Sequence, residues 1–195
     1  GPNTQSPEVG SRVTVFAGQG GLAEYGYFPA ERLIKIPDSM PSEVAAGFQV
    51  AYGTSHIALT HCARLKKDDT LLVLGAAGGV GLTAVELGKY FGAQVIAAAR
   101  GQEKLKIAQR FGADVLIDTN KENLRDVVKS LGGADVVYDP IGGDLFKEAV
   151  RACKPEGKIL TIGFASGDIP VIAANYLLVK NLSVIGLNWG AYQKS

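Results

Sequence analysis

From Leu71 onward, short apolar runs alternate with segments that have helical periodicity. This alternation predicts right-handed crossovers and a doubly wound parallel sheet. Continuous apolar strands also fit a sheet that helices cover on both faces. The predicted fold class is therefore α/β. The predicted strands are Leu71–Leu74, Gln94–Ala99, Val115–Ile117, Asp135–Tyr138, Lys158–Ile162 and Leu182–Leu187, and the predicted helices are 79–91, 102–111, 122–131, 144–153 and 173–180. Gly112, Gly132 and Gly157 follow predicted helices, where a left-handed cap is expected.

The first part of the chain has a different pattern. Arg12–Phe16, Gly21–Phe28 and Leu33–Ile36 are predicted to be short β segments, with no helix before about Ser42. These segments carry too little apolar surface for a core of their own. We expect them to belong to a second, all-β domain, and the chain to be a fragment.

The composition excludes several classes of partner. The net charge of +1 comes from interspersed charges, so neither a nucleic acid nor a membrane surface is expected as a partner. Cys62 and Cys153 are far apart and form no CxxC motif, and His56 and His61 lack further ligands, so no metal site is predicted. No apolar run has the length of a membrane span, and the first residues resemble no signal peptide. A cytoplasmic protein is expected.

The segment after the strand Leu71–Leu74 is rich in glycine and leads directly into a helix. Gly78, Gly79 and Gly81 lack Cβ atoms, so an anion can approach the N–H groups and the positive dipole end of a helix that begins near Gly79. A glycine turn can also simply end a strand. Strand, turn and helix in this order favour binding of a nucleotide pyrophosphate.

In a dinucleotide-binding fold, the residue at the end of the second strand faces the adenosine ribose. Arg100 occupies that position, where NAD-binding proteins have an acidic residue. An arginine pairs with the 2′-phosphate of NADPH, and Lys104 adds a second charge one helical turn later. The alternative is a pair of solvated cations beside a helix start.

Two further turns follow predicted strands on the ligand-binding edge of the sheet, at Asp139–Gly143 and Gly163–Gly167. Each alone fits ordinary turn chemistry, but together with the first turn they favour a cofactor cleft. Tyr52 and Thr54 form a hydroxyl pair before the sheet, and Thr54 has the alternative role of a helix N-cap. No nucleophile motif is present, and no catalytic residue is identified.

Six segments carry a family resemblance that covers the chain nearly end to end: Val9–Val13, Gly20–Tyr25, Val50–Thr54, Ala76–Gly81, Tyr138–Gly143 and Leu177–Gly186. The chain resembles the medium-chain dehydrogenase/reductase superfamily, in its zinc-independent, zeta-crystallin-like quinone oxidoreductase branch. The resemblance implies part of a GroES-like catalytic domain in residues 1–44 and an NADPH-binding Rossmann domain in residues 45–195. The segment Phe16–Gly20 lacks the cysteine-rich lobe of zinc-dependent members, and Ala46 stands where they have a zinc-binding cysteine.

The resemblance also implies which residues bind the cofactor. Those expected at the pyrophosphate and nicotinamide ribose are Thr54, Ala77, Gly78, Gly79 and Val80. Those expected at the nicotinamide are Gly163, Phe164, Ala165 and Asn188. Arg100 and Lys104 would hold the 2′-phosphate, with Thr119 where some members have Tyr or His.

These features predict an NADPH-dependent reductase of a quinone or another conjugated carbonyl, with the substrate bound between the domains. The alternatives are an enoyl reductase acting on α,β-unsaturated thioesters and a non-catalytic NADPH-binding protein. The resemblance implies a homodimer paired along the last strand. This chain alone is expected to be inactive as a reductase.

Overall fold

The computed structural model describes residues 7–192. The chain divides into two compact units, with the boundary between Ala51 and Tyr52. That boundary falls inside the first helix, α1 (Ser42–Ile57), which a π-helical turn at Ala58–Cys62 extends.

In the first unit, strand β1 (Val13–Val15) pairs antiparallel with strand β2 (Leu33–Lys35), which follows a 3-10 turn at Ala30–Arg32. The guanidinium of Arg12 donates to three backbone carbonyls and one hydroxyl in the segment that follows β2. Its acceptors are the carbonyls of Pro37, Asp38 and Met40 and the Oγ of Ser42. Arg12 therefore fixes the path of the chain into α1.

The expectation of a strand at Gly21–Phe28 is wrong. These residues have no pairing partner within the described range 7–192. Leu22 and Tyr27 are fully exposed. An extended segment with apolar side chains becomes a strand only where a neighbour satisfies its N–H and C=O groups.

The second unit contains a six-stranded parallel sheet with the strand order β5-β4-β3-β6-β7-β8. Its strands are β3 (Thr70–Leu74), β4 (Gln94–Ala99), β5 (Val115–Asp118), β6 (Ala134–Asp139), β7 (Cys153–Thr161) and β8 (Ser183–Gly186). The helices are α2 (Gly79–Tyr90), α3 (Gln102–Arg110), α4 (Leu124–Ser130), α5 (Gly143–Ala152), α6 (Ala174–Lys180) and α7 (Trp189–Tyr192). The predicted α/β class with a doubly wound Rossmann sheet is confirmed.

Helices cover both faces of this sheet. Leu71 and Val73 of β3 pack in one cluster with residues of α2 and α3, whereas Leu72 and Leu74 pack in a second cluster with residues of α4 and α5. Successive side chains of a strand point to opposite faces, so a strand buried on both sides is continuously apolar. All five residues of β3 are buried.

Two of the three predicted glycine caps have the expected conformation. Gly112 has φ +103° and Gly132 has φ +95°. The expectation for Gly157 is wrong, because Glu156 is the residue with positive φ in that turn, at +64°. A Cβ on Gly157 would lie 2.9 Å from the carbonyl oxygen of Lys154, so close packing requires glycine there.

Strand β7 begins earlier than predicted, directly after α5. Cys153 pairs with Ala134 and Lys158 pairs with Val136. Between these two pairs β7 has four residues and β6 has one, so β7 bulges there. Cys153, expected to be the last residue of a helix, is therefore the first of this strand. Among the helices of residues 7–192, none combines the length and apolar character needed to cross a bilayer.

Candidate cofactor site

A cavity of about 590 Å³ lies in the second unit, at the carboxyl ends of the strands. The glycine turn after β3, the ends of β4 and β5, and the turns after β6 and β7 form its walls. The lining residues are Gly75, Ala77, Gly78, Ala98, Ala99, Arg100, Lys104, Thr119, Ile141, Gly142, Asp144, Leu145, Ala165 and Ser166.

The glycine turn has little room for side chains on its inner side. The N–H of Gly78 donates to the carbonyl of Gly75 at 2.9 Å, and a Cβ on Gly81 would overlap that carbonyl oxygen. Glycine at position 81 therefore lets α2 start close to the end of β3. A Cβ on Gly79 would meet nothing within 4 Å, so the first residue of α2 borders open space. The first turn of α2 carries no acidic side chain, which leaves its positive end available to an anion.

A buried group of hydroxyls lies under this turn. The Oγ of Ser55 lies 2.8 Å from the Oγ1 of Thr83, 2.8 Å from the hydroxyl of Tyr138 and 3.1 Å from the carbonyl of Val80. Thr83 also donates to the Val80 carbonyl at 3.0 Å. The group joins α1, the first turn of α2 and the central strand β6. Burial raises the pKa of Tyr138 to about 12, so its hydroxyl stays protonated and available as a donor.

Tyr52 and Thr54 of α1 also carry hydroxyl groups. Thr54 lies inside α1 and is buried, so its alternative role as a helix N-cap is wrong. The hydroxyl of Tyr52 donates to the carboxylate of Glu86 in α2. That hydrogen bond, with burial, raises the pKa of Tyr52 to about 12.

The cationic side of the cavity is formed by the ends of two adjacent strands. Arg100 directly follows β4, and Lys104 lies in the first turn of α3. The N–H of Thr119, directly after β5, donates to the carbonyl of Ala99 at 3.1 Å. These contacts place the arginine and the threonine on the same edge of the sheet.

The opposite wall is shaped by the buried carboxylate of Asp139 at the end of β6. Its Oδ1 accepts the N–H groups of Ile141 at 2.7 Å and Gly142 at 2.9 Å. Burial raises the pKa of the Asp139 carboxyl. The Oγ of Ser166 donates to the Ile141 carbonyl at 2.7 Å, which ties the turn after β7 to the turn after β6.

The structure gathers half of the predicted site residues around the cavity, and four of the other six directly follow a lining residue or belong to the same turn. Those that line it are Ala77, Gly78, Arg100, Lys104, Thr119 and Ala165. Gly79 and Val80 form the start of α2, and Gly163 and Phe164 belong to the turn after β7. Thr54 lies in α1 and Asn188 precedes α7, and neither lines the cavity.

Gly53 and Trp189 bring the segment after β8 against α1. A Cβ on Gly53 would overlap the indole Nε1 of Trp189, so the ring lies flush against the helix backbone. Thr54 and Asn188 are the sequence neighbours of these two residues. Thr54, predicted at the nicotinamide ribose and pyrophosphate, and Asn188, predicted at the nicotinamide, therefore flank a close approach of two chain segments.

Several residues of the cavity were not identified from the sequence as individual site residues. Gly75 has φ +58°, and Leu145 lies in the first turn of α5. Asp118 ends β5 and directly precedes Thr119, which lines the cavity. The sequence signal that could have identified Asp118 is its position as a charged residue at the end of an apolar strand.

The two histidines take part in aromatic packing. His56 contacts the ring of Phe91 at a centroid distance of 6.1 Å, and His61 contacts Tyr192 at 5.9 Å. Within the described part of the chain, no three His, Cys, Asp or Glu residues are grouped so as to hold a metal ion.

The parallel sheet and the glycine turn at its carboxyl edge define a dinucleotide-binding α/β protein. The zinc-binding dehydrogenase family matches residues 79–195, and the chain belongs to that family. A quinone oxidoreductase-like protein 2 homolog of Nematostella vectensis is 46% identical over 199 residues, covering 100% of this chain and 54% of the relative. The chain thus spans about half the length of the curated relatives it matches.

Solved structures agree with this placement. The quinone oxidoreductase of Thermus thermophilus, also solved in complex with NADPH, has a TM-score of 0.86 at 29% identity, covering 97% of this chain and 61% of its own. A 2-haloacrylate reductase has a TM-score of 0.88 at 29% identity, covering 100% of this chain and 63% of its own. The predicted zinc-independent quinone oxidoreductase branch of the medium-chain dehydrogenase/reductase superfamily is confirmed.

Proposed function

We propose that the second unit binds NADPH in the cavity at the carboxyl edge of the sheet. One observation carries this proposal: the glycine turn at Gly78 and the cations Arg100 and Lys104 line the same cavity. A pyrophosphate suits the N-terminus of α2, and a 2′-phosphate suits two cations at the end of β4. Asp144, an acidic residue of the lining, is paired with Lys147 at 2.8 Å, which offsets its charge.

The residues fit this cofactor in two further respects. A backbone with no Cβ at positions 78 and 79 lets a pyrophosphate approach closely, and the space in front of Gly79 is open. The NADPH complex of the similar Thermus thermophilus enzyme supports the same choice. We assign Ala77, Gly78, Gly79 and Val80 to the pyrophosphate end and Thr119 to the 2′-phosphate end.

We assign Gly163, Phe164, Ala165 and Asn188 to the nicotinamide end, and Thr54 to the nicotinamide ribose and pyrophosphate. NADPH bound there would supply a hydride to a quinone or another conjugated carbonyl. The part of this chain in such a reaction is to bind and orient the cofactor. Residues 1–44 would belong to the GroES-like catalytic domain and residues 45–195 to the NADPH-binding domain.

Cofactor binding is testable on this chain, because Trp189 is its one tryptophan. NADPH absorbs at the wavelengths of tryptophan emission, so energy transfer from Trp189 reports binding. Titration with NADPH and NADH should give tighter binding of NADPH. Equal affinities, or no binding of either, would contradict the assignment.

The reaction is testable on a protein of the full length of the relatives. Loss of NADPH absorbance should be fast with quinones and slower with enoyl thioesters. Faster turnover of thioesters would contradict the quinone assignment. Cofactor binding without turnover of any conjugated carbonyl would favour a non-catalytic protein.

We also propose a homodimer formed along β8. This strand is at the end of the sheet order, and its outer edge has no pairing partner among residues 7–192. Leu178 and Val179 of the adjacent α6 are exposed apolar residues, and Val184 of β8 is partly exposed. An unpaired apolar edge favours pairing with a second copy.

The dimer is tested by light scattering of the wild type and of Val184→Lys, which places a charge on the edge strand. We expect a dimer for the wild type and a monomer for the variant. Ile107→Lys on α3, an exposed apolar position elsewhere, is the control and should leave the dimer intact. A wild-type monomer at high concentration would contradict the proposal.

A cytoplasmic location is the last part of the proposal. Cys62 and Cys153 are both free thiols, which is typical of proteins in a reducing compartment. Cell fractionation should recover the protein with cytosolic markers. Recovery in an oxidising compartment would contradict it.

A further inference from the structure

Asp118, the last residue of β5, is a nearly buried carboxylate with 2% exposure. Its Oδ1 accepts two backbone N–H groups, from Gly101 at 2.9 Å and from Asn120 at 3.1 Å. Its own N–H donates to the carboxylate of Glu122 at 2.9 Å. One oxygen thus joins two loops that follow two adjacent strands.

Each of these two N–H groups belongs to the residue after a lining residue of the cavity. Gly101 follows Arg100, and Asn120 follows Thr119. The pairing of Ala99 with Asp118 in the sheet brings the two loops together. The position of Asp118 therefore sets where Arg100 and Thr119 leave the sheet.

The backbone of Gly101 has an unusual conformation, with φ 86° and ψ 150°. This region is essentially restricted to glycine. A Cβ at Gly101 would meet nothing within 4 Å, so conformation and not space requires glycine here. The conformation directs the Gly101 N–H to the Asp118 carboxylate.

The carboxylate is charged at neutral pH. The N–H of Gly101, followed by that of Asn120 and the neighbouring Lys121 and Gln102 side chains, lowers the pKa of Asp118 although burial opposes this. A hydrogen bond to a charged group is stronger than one between neutral groups. Each of the two loops is held by such a bond.

We propose that Asp118 is a positioning residue: it holds the Arg100–Gly101 and Thr119–Asn120 loops in place for the 2′-phosphate and thereby contributes to the preference for NADPH over NADH. This inference rests on the proposed NADPH site. Asp118 acts through Arg100 and Thr119, and its own carboxylate is engaged by backbone N–H groups.

The test compares Asp118→Ala and Asp118→Asn with the wild type, using Trp189 fluorescence to measure the Kd of NADPH and of NADH. Loss of a charge-assisted bond predicts an increase of about tenfold in the NADPH Kd of D118A. The NADH Kd should change by no more than about threefold, since NADH has no 2′-phosphate. D118N keeps an acceptor oxygen without the charge, so its ratio of the two Kd values should lie between those of the wild type and D118A.

Asp114 provides a matched control on the same two strands. It precedes β5, its Oδ2 accepts the N–H of Val95 at 2.9 Å, and it pairs with Lys89. It therefore connects β4 and β5 at the end of the sheet away from Arg100. D114A should lower the free energy of unfolding and leave the ratio of NADPH to NADH affinity unchanged.

Amide hydrogen exchange without cofactor tests whether Asp118 positions the two loops, independently of whether NADPH binds there. D118A should accelerate exchange at Gly101 and Asn120. D118S, whose short hydroxyl cannot bridge both N–H groups, tests the same point should D118A fail to fold. Unchanged exchange, or equal losses of NADPH and NADH affinity, overturns the role of Asp118 while the NADPH site stands. A wild type without preference for NADPH overturns the proposed site together with this role.

Discussion

The buried hydroxyls of Ser55, Thr83 and Tyr138 lead to a prediction in which a second substitution raises the stability of the first variant. One arrangement lets every hydroxyl donate once: Tyr138 donates to Ser55, Ser55 to Thr83, and Thr83 to the carbonyl of Val80. Tyr138 is completely buried, and Ser55 is the hydrogen-bond partner of its hydroxyl. Ser55→Ala would leave that hydroxyl buried without a partner, whereas Tyr138→Phe removes the hydroxyl together with its bond.

The two variants therefore differ in magnitude. S55A should lower the free energy of unfolding by about 2–3 kcal/mol, because an orphaned buried polar group adds its desolvation cost to the lost bond. Y138F should cost about 1 kcal/mol, since Ser55 keeps its contacts with Thr83 and Val80. The double variant S55A/Y138F no longer has an orphaned hydroxyl and should be more stable than S55A alone.

Urea denaturation of all four proteins measures these differences, and a common m-value shows that the unfolded states are comparable. The expected coupling energy is about 1–2 kcal/mol. In thermal unfolding, each kcal/mol corresponds to a shift of about 2–4 °C for a chain of this size. Additive losses, with the double variant less stable than S55A, would refute this account of the network.

The remaining predictions concern three glycines and one carboxylate. Gly81→Ala places a Cβ on a backbone carbonyl and should cost about 1–3 kcal/mol. Gly79→Ala meets open space, so its Tm should be unchanged while NADPH binds more weakly. A Tm loss as large as that of Gly81→Ala would contradict the open space in front of Gly79. Gly53→Ala should displace the indole of Trp189 and shift its emission, and an unchanged spectrum would contradict their packing. The pKa of Asp139 is raised in the fold, so the native state holds its proton at higher pH and stability falls as pH rises between the unfolded and folded values. The free energy of unfolding of Asp139→Asn, measured in urea, should therefore rise relative to that of the wild type as pH increases across this window. A difference that does not change with pH would contradict the raised pKa.

The sheet was predictable because each strand carries its own signal. Apolar runs such as Leu71–Leu74 are buried on both faces, and helical periodicity separates them. Arg100 was predictable for a related reason, since its position after the second strand of the sheet follows from chain order. The strand expected at Gly21–Phe28 failed because pairing depends on a neighbour, and no local pattern reports whether one is present.

The supporting contacts of the site were not predictable. Ser55 and Tyr138 are 83 positions apart, and their contact depends on how α1 packs on the central strands. The link from Asp118 to Gly101 depends on the pairing of β4 with β5 and on a glycine-only backbone conformation. A local sequence pattern identifies the residues that line the edge of the sheet, whereas the residues that hold them in place emerge from long-range packing.

The central claim is that Arg100 selects NADPH, and Arg100→Asp tests it most directly. Fluorescence titration should show a loss of about 10–100-fold in NADPH affinity, with NADH affinity changed by no more than about threefold. Arg110→Asp, at the far end of α3, makes the same change of charge away from the cavity and should leave both affinities unchanged. Equal losses of NADPH and NADH affinity in the Arg100→Asp variant would contradict the account.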